Sequence, residues 1–445
     1  MKSVKLLVLV WSVLIASIAM ALPARAFEIK PVTSKSGITA WLVEDHTVPL
    51  IAMSFSFRGG AAGDPQGKEG LSHFLSGMLD EGAGDLDSAA FQSAIEENAV
   101  KLSYDTERDE FQGDFQTLSA NRDAAFRLLR LSLNVPRFDP EPLERIRNQL
   151  LLGIREDFED PENIAAAAWM KTMFGTHPYG RRTKGTEDGI KAVAGEDLKA
   201  LTKRLFARDG LLVTVVGDID AETLKLKLDE VFADLPEKSG MPETPEAEVA
   251  KGPSVNVIDR NIPQSVIQFG FRGIKRDDPD FMAAYIMNSI LGDGGFGSRL
   301  TEEVREKRGL SYSVGSDLYP LKRAGLFVGS AATVNARAGE TIDILKREIR
   351  RMAEEGPTQK ELDEARTYLT GSYALRFDSN RKIARQLLAI RRDDLGIDYV
   401  EKRNSMVDAV SLEDVKRVAR RLLEADLIFT IVGRPDGVAA KGSSG

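Results

Sequence analysis

Residues 196–217 read EDLKALTKRLFARDGLLVTVVG, and residues 413–433 read EDVKRVARRLLEADLIFTIVG. Each copy opens on an acidic pair, carries apolar residues at helical spacing, crosses a charged joint and ends in an apolar, β-branched run closed by glycine. That is a helix followed by a strand, written twice. The second copy is one residue shorter at the joint. A further match pairs residues 55–65, FSFRGGAAGDP, with 269–279, FGFRGIKRDDP, at an offset of 214, and Val43-Glu44-Asp45 pairs with Val257-Ile258-Asp259 at the same offset. Self-similarity over roughly 200 residues is too long for a stacked solenoid unit and indicates two duplicated domains.

Working outward, residues 236–253, PEKSGMPETPEAEVAKGP, are rich in Pro and Glu and have no apolar period, as expected of a linker. This divides the chain into an N-terminal domain at 27–236, a linker at 237–253, a C-terminal domain at 254–436 and a flexible tail at 437–445. Within the halves, 51–57 (IAMSFSF) and 266–271 (VIQFGF) alternate apolar with polar residues, as half-buried strands do. Residues 211–216 and 427–432 are continuously apolar and predict more fully buried strands. Segments 121–133, 142–158 and 341–353 carry helical periodicity, with Pro136 and Gly356-Pro357 as breaks. Strands at both ends of each half with helices between them predict an α+β protein, two homologous α/β sandwiches with helices on one face of a largely antiparallel sheet.

Composition narrows the chemistry. The 445 residues include three histidines and no cysteine, with a formal net charge of −8. A disulfide framework, a thiolate metal site, a thiol nucleophile and a general basic nucleic-acid binder are thereby excluded. Residues 1–26 read as an export signal: Lys2 and Lys5 precede an apolar run, and Ala24-Arg25-Ala26 offers small residues for cleavage. An exported, periplasmic protein with no stable membrane span after signal removal is expected.

Residues 69–79, EGLSHFLSGML, sit on a predicted helix just after the first strands. The segment resembles the zinc helix of the inverted zinc metallopeptidases of the pitrilysin type, family M16, which include mitochondrial processing peptidase and carry H-x-x-E-H. In that motif two histidines one turn apart bind zinc and the Glu activates the metal-bound water. On this chain the first histidine is His73, the general base is replaced by Ser76 and the second ligand by Gly77. The family's third ligand, a Glu about 75 residues on, falls at or beside Gly153, with Glu156 about one turn away. Neither His46 nor His177 has a partner at i+3 or i+4, and His177, in His177-Pro178-Tyr179-Gly180, reads as structural.

The resemblance continues at 298–314, SRLTEEVREKRGLSYSV. Family members carry there an Arg and, seven residues later, a Tyr that reach over the scissile bond; here they are Arg305 and Tyr312. A guanidinium and a phenol can donate hydrogen bonds to an oxyanion, and Gly309 is expected to end the helix so that Tyr312 starts a strand. Upstream, Gly292-Asp293-Gly294-Gly295-Phe296-Gly297 satisfies G-x-G-x-x-G, with Asp317 following as a dinucleotide fingerprint would ask. That fingerprint needs a preceding strand, whereas 281–291, FMAAYIMNSIL, reads as a helix. Gly294, Gly295 and Gly297 are instead expected to form a flexible loop beside a substrate cleft. A Ser72-His73-Asp80 hydrolase lacks the nucleophile elbow, and the acidic residues Asp80, Glu81, Asp85 and Asp87 read as a solvated turn.

The resemblance implies half of a clamshell around a peptide chamber. It also implies no metal on this chain, zinc on a homologous H-x-x-E-H-bearing partner in a heterodimer, and an unfolded peptide bound as an added strand. Two other readings stay open: a catalytically inert scaffold or peptide-binding subunit, and a self-sufficient hydrolase with an unrecognised site.

Overall fold

The computed structural model of the chain describes residues 27–423 and 426–438, so the expected export segment lies outside it. Six strands, β1 (Lys30–Thr33), β2 (Thr39–Glu44), β3 (Leu50–Arg58), β4 (Lys101–Thr106), β5 (Glu110–Leu118) and β6 (Leu212–Gly217), form one sheet in the order β1-β2-β6-β3-β5-β4. Five more, β7 (Ser254–Ile258), β8 (Gln264–Arg272), β9 (Val314–Pro320), β10 (Gly325–Val334) and β11 (Ile428–Val432), form a second in the order β7-β11-β8-β10-β9. All neighbours are antiparallel except β2/β6 and β7/β11. Without β1 the two orders coincide, and the strand that closes each half is inserted beside the strand that opens it. The quoted repeat is this closing unit: helices Gly195–Leu205 and Leu412–Leu423 lead into β6 and β11.

The repeat extends to packing that no local pattern reveals. Phe55 on β3 lies opposite Gly113 on β5, and Phe269 on β8 lies opposite Gly329 on β10. A Cβ at either glycine would come within 2.2 Å of the facing ring. Each aromatic therefore occupies the side-chain space its cross-strand neighbour gives up, which pins the register of both hairpins.

Both sheets carry a core of helices on one face, as expected. Each also carries one helix of the other half on its opposite face. The C-terminal-half helix Asn380–Arg392 covers β3 and β6, burying Ala384, Leu387 and Ile390 against Val43 and Val216, and Thr214 donates to the Ala384 carbonyl at 2.8 Å. Reciprocally, helix Pro161–Phe174 covers β8 and β11, and Trp169 Nε1 donates to the Ile428 carbonyl at 2.9 Å. Gly270 leaves the room for that indole, since a Cβ there would sit 2.7 Å from Trp169 Cζ2. The expectation of a half-buried strand at 51–57 is corrected accordingly: Ser54 and Ser56 are as buried as Phe55 and Phe57, because a distant helix covers the face their polarity assigned to water. A strand buried on both faces need not alternate.

Residues 236–253 contain no regular element yet are docked. Met241 packs on the N-terminal core, Val249 is buried, and the Ala247 and Ala250 amides donate to Arg323 and Met173 carbonyls. At the C-terminal end, Val438, the second residue of the expected flexible tail, packs against the second core. The acidic turn differs as well. Glu81 is buried, accepts from Ser88 at 2.5 Å and pairs with Arg145, while Asp87 caps the next helix by accepting from the Ala90 amide. His177 accepts from the Tyr179 amide and touches the Pro245 carbonyl, a structural role, and exposed His46 pairs with Asp218 at 2.6 Å.

Candidate functional site

Helix Leu71–Ser76 begins at Gly70, whose φ of +97° is natural to glycine, and ends at Gly77. His73 projects from it half-buried. Burial, followed by the positive charge of Lys184, holds its pKa below the usual imidazole value, so it is neutral at pH 7. Ser76 turns its hydroxyl back onto the His73 carbonyl at 2.8 Å, so it neither replaces a carboxylate base nor faces a ligand. Gly77 offers no donor, and a Cβ there would meet Ile146 Cγ2 at 3.2 Å, a hydrocarbon where a second imidazole would have to pass. Gly153, on helix Pro140–Glu159, faces open space. Exposed Glu156 does not supply the missing carboxylate. The acidic groups that act on His73 are Asp105 and Asp157, and Asp157 is taken by Lys184 at 2.8 Å.

Among the described residues no group of three His, Cys, Asp or Glu side chains is placed to hold a metal. One neutral imidazole, a self-bonded hydroxyl, two glycines and a lysine ammonium nearby do not fit zinc, which needs three or more protein donors around a dication.

The second candidate segment is built differently. The wide helical turn Thr301–Glu306 carries Arg305, and Gly309, at φ +57°, returns its amide to the Arg305 carbonyl at 2.8 Å. Leu310 then plunges into the core, and its carbonyl accepts from Thr333 at 2.7 Å. The helix stop is as expected, but the strand starts later: Tyr312 stands in the connecting turn, two residues before β9, and is 88% exposed. It is the most exposed large hydrophobic side chain among the described residues. Arg305 lies beside Glu306 at 3.5 Å and keeps about a third of its side chain accessible.

The base of this segment is rigid. Buried Arg299 forks onto Glu361 at 2.6 and 2.8 Å and also donates to the Gly356 carbonyl, while Glu361 closes a capping box with Thr358. Burial pushes the Glu361 carboxyl up, but Arg299 and the Thr358 donors outweigh it and hold the pKa at about 2. A folded-state pKa below the unfolded value contributes stability that is present above about pH 4.5 and lost as pH falls towards 2. Glu361→Gln is expected to cost about 2–3 kcal/mol at pH 7, with the gap to wild type closing between pH 4.5 and 2 in urea unfolding.

The glycine stretch forms a wide turn, Ser289–Asp293, and a short turn, Gly295–Gly297, after helix Phe281–Asn288, so no strand precedes it. Gly294 is required by packing, because a Cβ would lie 2.4 Å from the Ser289 carbonyl; Gly295 sits at φ +59°, and Gly297 has open space. Asp293 and Asp317 line a cavity of about 420 Å³ here together with Tyr285, Tyr373 and Tyr399.

Comparison with known proteins decides the relationship. The profile described as "Insulinase (Peptidase family M16)" matches residues 40–187, and that described as "Peptidase M16 inactive domain" matches 192–369. The chain belongs to peptidase family M16. Among its relatives in the M16 family, a Helicobacter pylori protein named "Non-peptidase homolog YmxG" is 27% identical over 87% of this chain and 90% of its own length. A Rickettsia bellii protein named "Uncharacterized zinc protease" is 23% identical over 89% of this chain and 92% of its own. A Pseudomonas fluorescens structure described as a peptidase M16 inactive domain superposes with a TM-score of 0.86 at 29% identity, covering 93% of this chain and all of that one. The fold is also that of the periplasmic protease PqqL from Escherichia coli, at a TM-score of 0.78 and 15% identity, with 93% of this chain covering 46% of that one. Helix Leu71–Ser76 falls within the first match, and Arg305 and Tyr312 fall within the second. Among the described residues no helix is long and apolar enough to cross a membrane.

Proposed function

We propose that this M16 chain is the non-zinc-binding subunit of a heterodimeric zinc peptidase, exported to the periplasm, that helps enclose unfolded peptides. A homologous H-x-x-E-H subunit would hold the metal. This chain's residues would bind the peptide, and Arg305 and Tyr312 would donate hydrogen bonds to the oxyanion that forms at the scissile bond. The observation that carries the reading is Tyr312: its side chain is 88% exposed on a turn whose neighbours Leu310 and Ser311 are buried, so the phenol is presented outward for a hydrogen bond. In the same chain the zinc positions have lost their donors.

The experiment is reconstitution. The purified chain is expected to hold no stoichiometric zinc by elemental analysis and to leave unfolded peptides uncut. Mixed with a zinc-bearing homologue from the same organism, it should form a heterodimer on size-exclusion chromatography and cleave. Turnover by the chain alone would overturn the reading in favour of a self-sufficient hydrolase. The name of the Helicobacter pylori relative favours a second reading, an inert scaffold or peptide-binding subunit.

A further inference from the structure

Beside the lost zinc position the structure gathers positive charge. Arg181, Arg182 and Lys184, from the loop after Tyr179, meet Arg108 from the β4–β5 turn around a pocket of about 180 Å³ that Asp157 and Asn163 also line. Among the described residues Asp157 is the only carboxylate lining it, and it is already held by Lys184 at 2.8 Å. The hydrogen bonds of Arg108 and Arg181 go to neutral oxygens, while the charges of Asp64 and Asp157 act on Arg181 and Arg182 from nearby. Arg108 donates to the Tyr179 carbonyl and the Tyr319 hydroxyl, and Arg181 donates to the Asp64 carbonyl at 3.0 Å. Arg182 stacks on Phe158 at 4.2 Å. Burial makes Arg182 more acidic than a solvated arginine and outweighs the opposing charge of Asp157.

The loop that presents these cations is braced. A Cβ at Gly185 would lie 2.1 Å from the Glu69 carbonyl, a Cβ at Gly189 2.3 Å from it, and a Cβ at Gly70 2.6 Å from the Lys184 carbonyl. The loop backbone therefore lies directly on the entry to helix Leu71–Ser76. Cations held in place by packing bind an anion without the cost of ordering them first. Planar guanidiniums suit the paired oxygens of a carboxylate or phosphate.

We infer that this pocket is an oxyanion-binding site, built from Arg108, Arg181, Arg182 and Lys184, that takes a phosphate or a peptide carboxylate beside the position where active relatives would need a metal cation. The inference concerns this chain alone and does not depend on the heterodimer.

Isothermal titration of the full chain tests it at fixed ionic strength in chloride. The probes are inorganic phosphate and an acetylated hexapeptide ending in a free carboxylate or in an amide. Saturable binding of phosphate or of the free-acid peptide, with the amide failing, is expected. The stronger of the two probes identifies the source of the oxyanion. Arg182→Gln should weaken binding about tenfold or more. Asp157→Asn removes the one lining carboxylate and should tighten binding about threefold or more, an outcome that a misfolded variant cannot mimic. No saturable uptake of either probe up to about 10 mM, a range that admits even weak sites, overturns the inference. So does unchanged affinity in Arg182→Gln, or weaker affinity in Asp157→Asn.

Discussion

Arg305→Ala and Tyr312→Phe, each introduced into this chain and assayed with the zinc-bearing partner, are expected to lower kcat by about 10²–10³-fold. That is the usual loss on removing one preorganised donor to a developing oxyanion. The physical case rests on where charge appears. The substrate carbonyl is a weak acceptor, whereas the tetrahedral oxyanion is a strong one, so a donor reaching it stabilises the transition state more than the bound substrate. The loss should therefore fall on kcat, with KM changing little. Folding gives the control. Tyr312 is 88% exposed, so removal of its hydroxyl is expected to change stability by no more than about 0.5 kcal/mol. Arg305→Ala leaves Glu306 half-exposed to water rather than burying a charge. A variant that folds, forms the heterodimer and cleaves at the wild-type rate would sink the catalytic reading and establish the scaffold.

The largest loss of stability is expected at Trp169. Trp169→Ala should cost about 3–5 kcal/mol in chemical denaturation, the range for emptying a buried aromatic site. The indole is 1% exposed, its ring fills the room left above Gly270, and its N–H satisfies the Ile428 carbonyl inside the other half's sheet. Trp169→Phe keeps most of the volume and removes the indole donor from that carbonyl, so a smaller loss of about 1 kcal/mol is expected. Because helix Pro161–Phe174 belongs to the N-terminal half and covers the C-terminal sheet, both halves should lose stability together. Two separated unfolding transitions, with only the first moved by the mutation, would show that the exchanged helices do not couple the halves.

Much of this architecture is readable along the chain. The duplicated helix-strand unit and the matched FSFRG and FGFRG strands are local patterns, and local patterns survive in a linear text. The likeness of the His73 helix to a zinc helix is legible for the same reason, since the proposed reading of Ser76 and Gly77 needs only a spacing of one turn. Local pattern makes the acidic turn look solvated because Arg145, the partner of buried Glu81, lies 64 residues away in sequence. Tyr312 was expected to start a strand. What delays β9 is the descent of Leu310 into the core, where Thr333, on the neighbouring β10, holds its carbonyl.

The anion pocket shows the same limit in the functional site. Arg181, Arg182 and Lys184 are adjacent in sequence, but three neighbouring cations on a loop are ordinarily solvated. Only the return of Arg108 from the β4–β5 turn, and the capture of the one lining carboxylate by Lys184, make them a site.

By itself, then, the sequence determined the duplication and the α+β class, because periodicity and repeats act over a few turns of chain. Tertiary structure alone decided that each half lends a helix to the other's sheet, that Tyr312 stands in water, and that cations gather near His73. Those features depend on which distant surfaces meet, and burial of an apolar face or of a charge is settled only by what finally covers it.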